Sequence, residues 1–391
     1  MFRRLAADRL HALAAQFPAV VVLGPRQVGK TTFVRQALPG ATYCDLEDPA
    51  TRARFDEDPR LQLDDRARDG ALVLDEAQAV PAIFSALRGA IDAHRERMGR
   101  FIVLGSAQPA VVRHVAESLA GRAGVIELEP LTASEAATGP RPREWREMWL
   151  CGGFPDALTA SERGGSFRDW WESYLRTFVE RDLALLGLSI DPRLMRRLLT
   201  MLAHAQGGMA NLSQLAGALG VAQGTVRRYV DILEATFLVR RLSPYFKNIG
   251  KRLVKAPKLY LRDTGLLHHL LNIGTHEALD THPGRGASFE TFVLEDLIRR
   301  ERLGHPYSGA YFWRTAAGSE ADLLIEREGR LHAIEIKAGR HAAGHATRVI
   351  RSVREDIAPD SFTVIDQAPG EELVSEGIRR RHVASSLDWL P

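Results

Sequence analysis

Apolar residues in this chain fall into two rhythms. In the first third, short unbroken runs at 18–23, 41–46, 71–75, 101–105 and 124–128 alternate with stretches of helical spacing. Continuous apolar strands separated by helices predict a parallel sheet covered on both faces. In the middle, Leu212, Leu215, Ala216 and Leu219 line one helix face, and Val226, Val230 and Leu233 line a second. Gly220 between them supplies a tight turn, so the pattern predicts a helix-turn-helix with Ser213 capping its first helix. Toward the end, a helical stretch at 288–298 precedes three strand-like runs at 311–315, 321–326 and 331–337. The last two flank a turn at 327–330 in which Gly329 is free to take a positive φ, which predicts a hairpin.

The first run opens into a glycine loop. Gly24-Pro25-Arg26-Gln27-Val28-Gly29-Lys30-Thr31 satisfies the pattern G-x-x-x-x-G-K-[ST], set between a strand and a helix that starts at Thr32. Only glycines at the bends let backbone N–H groups wrap a polyphosphate. Lys30 then reaches the β/γ-phosphates, the Thr31 hydroxyl ligates Mg²⁺, and the helix adds its N-terminal dipole. The loop therefore predicts ATP or GTP binding. The run at 71–75 ends in Asp75-Glu76, which assigns Asp75 to the metal and Glu76 to the attacking water. Ser106, at the end of the 101–105 run, is either a reader of the γ-phosphate or an ordinary loop serine. Arg122 is either a finger reaching a neighbouring subunit's site in a ring or a solvated surface arginine.

Composition narrows the setting. The 391 residues suffice for two to three domains, with 26% charged and 45% apolar residues and a net charge of +3. That charge does not by itself announce nucleic acid. Cys44 and Cys151, the only cysteines, are too few for a disulfide framework or a zinc site. No apolar run approaches the roughly 18 residues of a membrane span. The N-terminal pattern (Phe2, Leu5, Leu10, Leu13 and Phe17 among Arg3, Arg4, Asp8 and Arg9) predicts an amphipathic helix rather than a signal peptide. A cytoplasmic location follows as the expectation.

Local charge says more. In a helix-turn-helix the second helix enters the major groove, which here presents Gln223, Thr225, Arg227 and Arg228. Residues 240–262 then hold eight basic residues, Lys251, Arg252 and Lys255 among them, and no acid. With β-leaning ends at 236–242 and 258–261, the segment suits a wing on DNA phosphates. Docking on a protein and a merely solvated charged face are the alternatives. In the C-terminal hairpin, a turn centred on Glu328-Gly329 sets Asp322 opposite Glu335 and Glu320 opposite Lys337. One face then gathers four charged groups, with Glu290 supplied by the preceding helix. Two readings fit: a Mg²⁺ site with Asp322 and Glu335 as ligands and Lys337 at the water, or cross-strand ion pairs.

Several stretches together resemble a large bacterial and archaeal family of AAA-type ATPases. They are residues 23–32, 74–78, 119–122 (Leu-Ala-Gly-Arg), 152–155 (Gly-Gly-Phe-Pro), 174–182, 259–265 (Leu-Tyr-Leu-Arg-Asp-Thr-Gly) and Glu335-Ile-Lys337. Ser106-Ala107 departs from the Gly-Ser-Ser expected after the fourth strand. The resemblance implies an α/β architecture: a P-loop ASCE core over 1–140, a helical and winged-helix domain over 141–270, and a restriction-endonuclease-like domain over 271–391. The expected activity is a Mg²⁺-dependent ATPase coupled to nucleic-acid handling. Its C-terminal domain is expected to be either a metal-dependent nuclease or a silent binding module.

Overall fold

The alternation in the first third builds a five-stranded sheet. Its strands are β1 (Ala19–Gly24), β2 (Thr42–Asp45), β3 (Leu72–Asp75), β4 (Phe101–Ser106) and β5 (Ala123–Glu127), in the order β2-β3-β4-β1-β5. All of their pairings are parallel. Parallel strands need crossovers, and the intervening helices, among them Lys30–Ala37 and Ile83–Ala93, supply them. The unbroken apolar runs β1, β3 and β4 are buried at every position. Leu23, Leu74, Phe84, Leu87 and Val103 are part of the core on one face. Placing β4 between β1 and β3 holds the glycine loop and the acidic strand end two strand spacings apart, about 10 Å.

This computed structural model describes residues 2–106, 117–139, 141–183, 191–246, 256–315, 318–339, 352–375 and 377–386. The chain divides into two compact units, the first centred on Met1–Leu131 and the second beginning at Thr132. Among the described residues, no helix is long and apolar enough to cross a membrane.

An eight-stranded mixed sheet dominates the second unit. Its further strands are β6 (Val239–Pro244), β7 (Lys258–Leu261), β8 (Gly309–Arg314), β9 (Glu320–Arg327), β10 (Arg330–Ile336), β11 (Ser361–Asp366), β12 (Glu372–Ser375) and β13 (Ile378–His382). The order is β12-β13-β11-β10-β9-β8-β6-β7. Glu328 and Gly329 both take positive φ, 50° and 78°, as a tight two-residue hairpin turn requires. The β9–β10 register runs from Arg330 opposite Arg327 to Ile334 opposite Leu323. One further step sets Asp322 opposite Glu335, the expected register.

The middle of the chain forms the helix pair Leu212–Leu219 and Gln223–Ala235, with Gly220 at φ 71° closing the first helix. Asn211, not Ser213, is its cap: the Asn211 side chain accepts the Gln214 N–H, and the Ser213 hydroxyl donates to Asn211 at 2.9 Å. β6 and β7 do form the antiparallel pair expected of a wing. However, β6 also pairs in parallel with β8, so both strands belong to the sheet that carries the acid cluster. A continuous sheet therefore crosses the boundary expected at 270.

Candidate functional site

Gly24 ends β1 where a side chain has no room, because a Cβ there would lie 2.2 Å from the Leu128 carbonyl oxygen. The loop turns through Gln27 (φ 59°) and Gly29 (φ 92°) into the helix Lys30–Ala37. The first N–H groups of such a helix have no intrahelical acceptor. Pro25 and Val28 are buried, Arg26 is half-buried, and Gln27 and Thr32 are exposed. The Lys30 ammonium is buried and donates to the Gly24 and Pro25 carbonyls at 3.2 and 3.0 Å. Burial pulls its pKa below the ordinary lysine value, opposed by the nearby Glu76 and Asp75 charges.

The Thr31 hydroxyl donates to Asp75 Oδ2 at 2.5 Å, so residues 44 positions apart meet across the sheet. The Tyr43 hydroxyl donates to the same oxygen, and the Arg35 guanidinium sits 4.0 Å from the Tyr43 ring centre. Glu76 takes the left-handed conformation (φ 50°), and its N–H bonds to Asp75 Oδ1 at 2.9 Å. Gln78 donates to its carboxylate. Burial pushes the Glu76 pKa up, with the Lys30 charge opposing. Ser106, aligned with Gly24 across β1 and β4, has a buried hydroxyl without a hydrogen-bond partner among the described residues. Arg122 lies elsewhere, in a bidentate pair with Asp92 at 2.8 and 2.9 Å. Thr31 and Asp75 are hard oxygen donors brought together, a set that fits Mg²⁺.

In the second unit the acids do converge, but not as a cage of carboxylates. Lys337 Nζ lies 2.6 Å from Glu335 Oε1 and 3.4 Å from Asp322 Oδ2. Asp322 Oδ2 also accepts the Ile336 N–H at 2.8 Å. Glu290, on the helix Arg285–Gly304, accepts from the Tyr260 hydroxyl at 2.6 Å and from Lys258 Nζ at 3.2 Å. Lys258 also contacts Glu320, whose second oxygen takes Arg314 at 2.8 Å. Burial, reinforced by the neighbouring Asp322 charge, pushes Glu290 up to about 7 and Glu335 up to about 8. Among the described residues no group of three or more His, Cys, Asp or Glu side chains is arranged to hold a metal ion. The expected face is assembled, but lysines occupy its centre.

On the helix-turn-helix, Gln223, Arg227 and Arg228 are exposed and Thr225 is half-buried. The basic run after it is a different matter. Arg240 is buried in a bidentate pair with Glu295, Arg241 meets Asp231 and Glu234, and Arg262 lies 3.7 Å from Glu295. With Lys258 also inside the acid cluster, these four basic residues are neutralised within the fold and form no solvent-facing stripe. Lys251, Arg252 and Lys255 lie outside the described residues.

Residues 16–137 match the family model of the AAA domain. Residues 142–277 and 285–380 match two domains of unknown function, DUF8612 and DUF4143. Two uncharacterized proteins, from Mycobacterium tuberculosis and Mycobacterium bovis, are each 42% identical over 372 residues, covering 94% of this chain and 80% of theirs. The chain belongs to the AAA-type P-loop ATPases. Among solved structures it is similar to a Walker-type ATPase of Pyrococcus abyssi (16% identity, TM-score 0.48, covering 69% of this chain and 96% of that one). It is also similar to AMPPCP-bound DnaA of Aquifex aeolicus (13% identity, TM-score 0.30, covering 59% and 86%).

Two residues of the first unit that touch this site carry no signal in the sequence. Tyr43 carried no motif signal, since only the parallel β2–β3 pairing brings its ring to Asp75. Arg4 was counted in an amphipathic surface pattern. It is buried, and it donates to the Val28 carbonyl of the loop at 3.0 Å and to the Glu129 carbonyl. An arginine one residue off an apolar stripe gave no reason to expect either contact.

Proposed function

We propose that this AAA-type ATPase uses Mg²⁺·ATP to switch a nucleic-acid-binding half of the same chain. The observation that carries the reading is the Thr31–Asp75 contact at 2.5 Å beside the Lys30 ammonium and the Glu76 carboxylate. Thr31 and Asp75 would hold Mg²⁺, which when bound supplies charge against the β/γ-phosphates. Lys30 leaves its two loop carbonyls for the phosphate oxygens. Glu76, its proton affinity raised by burial, orients the attacking water and takes its proton. The unpartnered Ser106 hydroxyl is a donor available to the γ-phosphate or that water.

The exposed side chains of the helix Gln223–Ala235 support its reading as the recognition helix of a winged helix, with DNA as partner. The C-terminal domain then serves as a binding module. A second reading, a Mg²⁺-dependent nuclease, is favoured by one observation: Glu335 Oε2 is buried with no hydrogen-bond partner among the described residues. The division into domains at 1–140, 141–270 and 271–391 remains part of the proposal.

ATP turnover tests the core. Lys30→Ala and Glu76→Gln should each abolish hydrolysis, and full turnover by Lys30→Ala would refute the reading. Arg227→Ala with Arg228→Ala should weaken DNA binding and lower its salt slope by about 1.8, the share of two phosphate contacts. An unchanged slope would remove DNA from the recognition helix. Labelled DNA with Mg²⁺ or Mn²⁺ separates the C-terminal readings: cutting lost in Lys337→Ala means a nuclease.

A further inference from the structure

Lys258 is 3% exposed, yet its ammonium is aimed into the acid cluster from β7, where sequence reasoning had placed a wing contact to DNA. It touches Glu290 at 3.2 Å, Glu320, and the Tyr260 hydroxyl at 3.2 Å. Its Nζ also lies 5.6 Å from the Phe312 ring centre, so apolar walls close around it. Glu335 Oε2, by contrast, is buried and without a partner among the described residues.

Four carboxylates (Glu290, Glu320, Asp322, Glu335) face two ammoniums (Lys258, Lys337) and the Arg314 guanidinium. The formal balance is −1, close to neutral without any further cation. A buried charge persists only when it is paired, and removing one partner leaves the other uncompensated. Lys258 meets that need from inside the chain, and it does so from β7, the second strand after the helix pair. A divalent ion bridging Glu290 to Glu320 would have to displace a buried ammonium held by three oxygen contacts.

We propose that Lys258 is the resident counter-ion of the Glu290 and Glu320 end of this cluster and that, with Lys337 already between Asp322 and Glu335, the C-terminal module works without a metal. The inference rests on the binding-module reading and sharpens it. Lys258 ties β7 to β9 through Glu320 and to the helix Arg285–Gly304 through Glu290. The acids are thereby given a structural task, joining the strands after the helix-turn-helix to the sheet.

The test is Mn²⁺ binding to the full chain without nucleotide, read from the paramagnetic resonance signal of free Mn²⁺. An Asp75→Asn background removes the ATPase metal site. With the cluster otherwise intact, no Mn²⁺ should bind up to about 1 mM, the weak end of protein sites for divalent cations. Adding Lys258→Met should create a site for a single Mn²⁺, abolished by a further Glu320→Gln, whereas Lys258→Arg should keep the ion out. Mn²⁺ bound in the Asp75→Asn chain and lost with Asp322→Asn would overturn the proposal, and that arm leaves the lysine untouched. A folded Lys258→Met chain that gains no ion would overturn it too. DNA cleavage by the wild type would instead refute the binding-module reading, so the two failures are told apart.

Discussion

Asp75 Oδ2 accepts two hydroxyl hydrogen bonds, from Thr31 and from Tyr43. Thr31 is fixed by its place in the glycine loop. Under the proposed function Tyr43 is a positioning residue, its hydroxyl holding the carboxylate toward Thr31. Tyr43→Phe should raise the Mg²⁺ concentration for half-maximal ATP turnover about tenfold, the low end for a hydrogen bond to a charged acceptor. A titration of turnover against Mg²⁺ checks this, and a thermal melt should show little change. Gly24→Ala acts differently, because its Cβ would press on backbone 2.2 Å away. It should abolish nucleotide binding, measured with a fluorescent ATP analogue, by displacing the loop itself.

At the scale of elements, the helix-turn-helix shows how a cap is decided. Asn211 and Ser213 are both good capping residues, and spacing alone does not choose between them. The chain choosing Asn211 puts Ser213 inside the first turn, where its hydroxyl supports the asparagine oxygen. Asn211→Ala should therefore cost about 1 kcal/mol of stability, and Ser213→Ala much less, in denaturant unfolding. A larger loss for Ser213→Ala would reverse the assignment. The same contrast governs the basic run. Arg240 and Lys258 stand in a basic segment that reads as a solvated face, yet their partners Glu295 and Glu290 lie on a helix more than 30 residues later.

On the whole-molecule scale, the acid cluster makes stability depend on pH. Glu290 and Glu335 bind their protons more tightly folded than unfolded, at about 7 and about 8 against an ordinary 4.5. Their contribution is full below about pH 4.5 and is lost as pH rises through 7 to 8. Melting temperature should thus fall across that window, and Glu335→Gln should flatten the fall. An unaltered profile in Glu335→Gln would mean that Glu335 does not titrate there.

What could be read along the chain was whatever contiguous residues specify. The glycine loop, Asp75-Glu76, the parallel strands, the two helices around Gly220 and the register of the Glu328-Gly329 hairpin are local, because motif spacing and side-chain period act over a few residues. Only tertiary structure decided which charges are spent inside the fold. Whether Arg122 finds a partner in Asp92, whether Arg4 is surface or loop support, and whether Lys258 meets solvent or Glu290 depend on which distant strand or helix packs alongside. A buried charge needs a partner within a few ångströms, and the linear spacing of residues does not say where that partner lies.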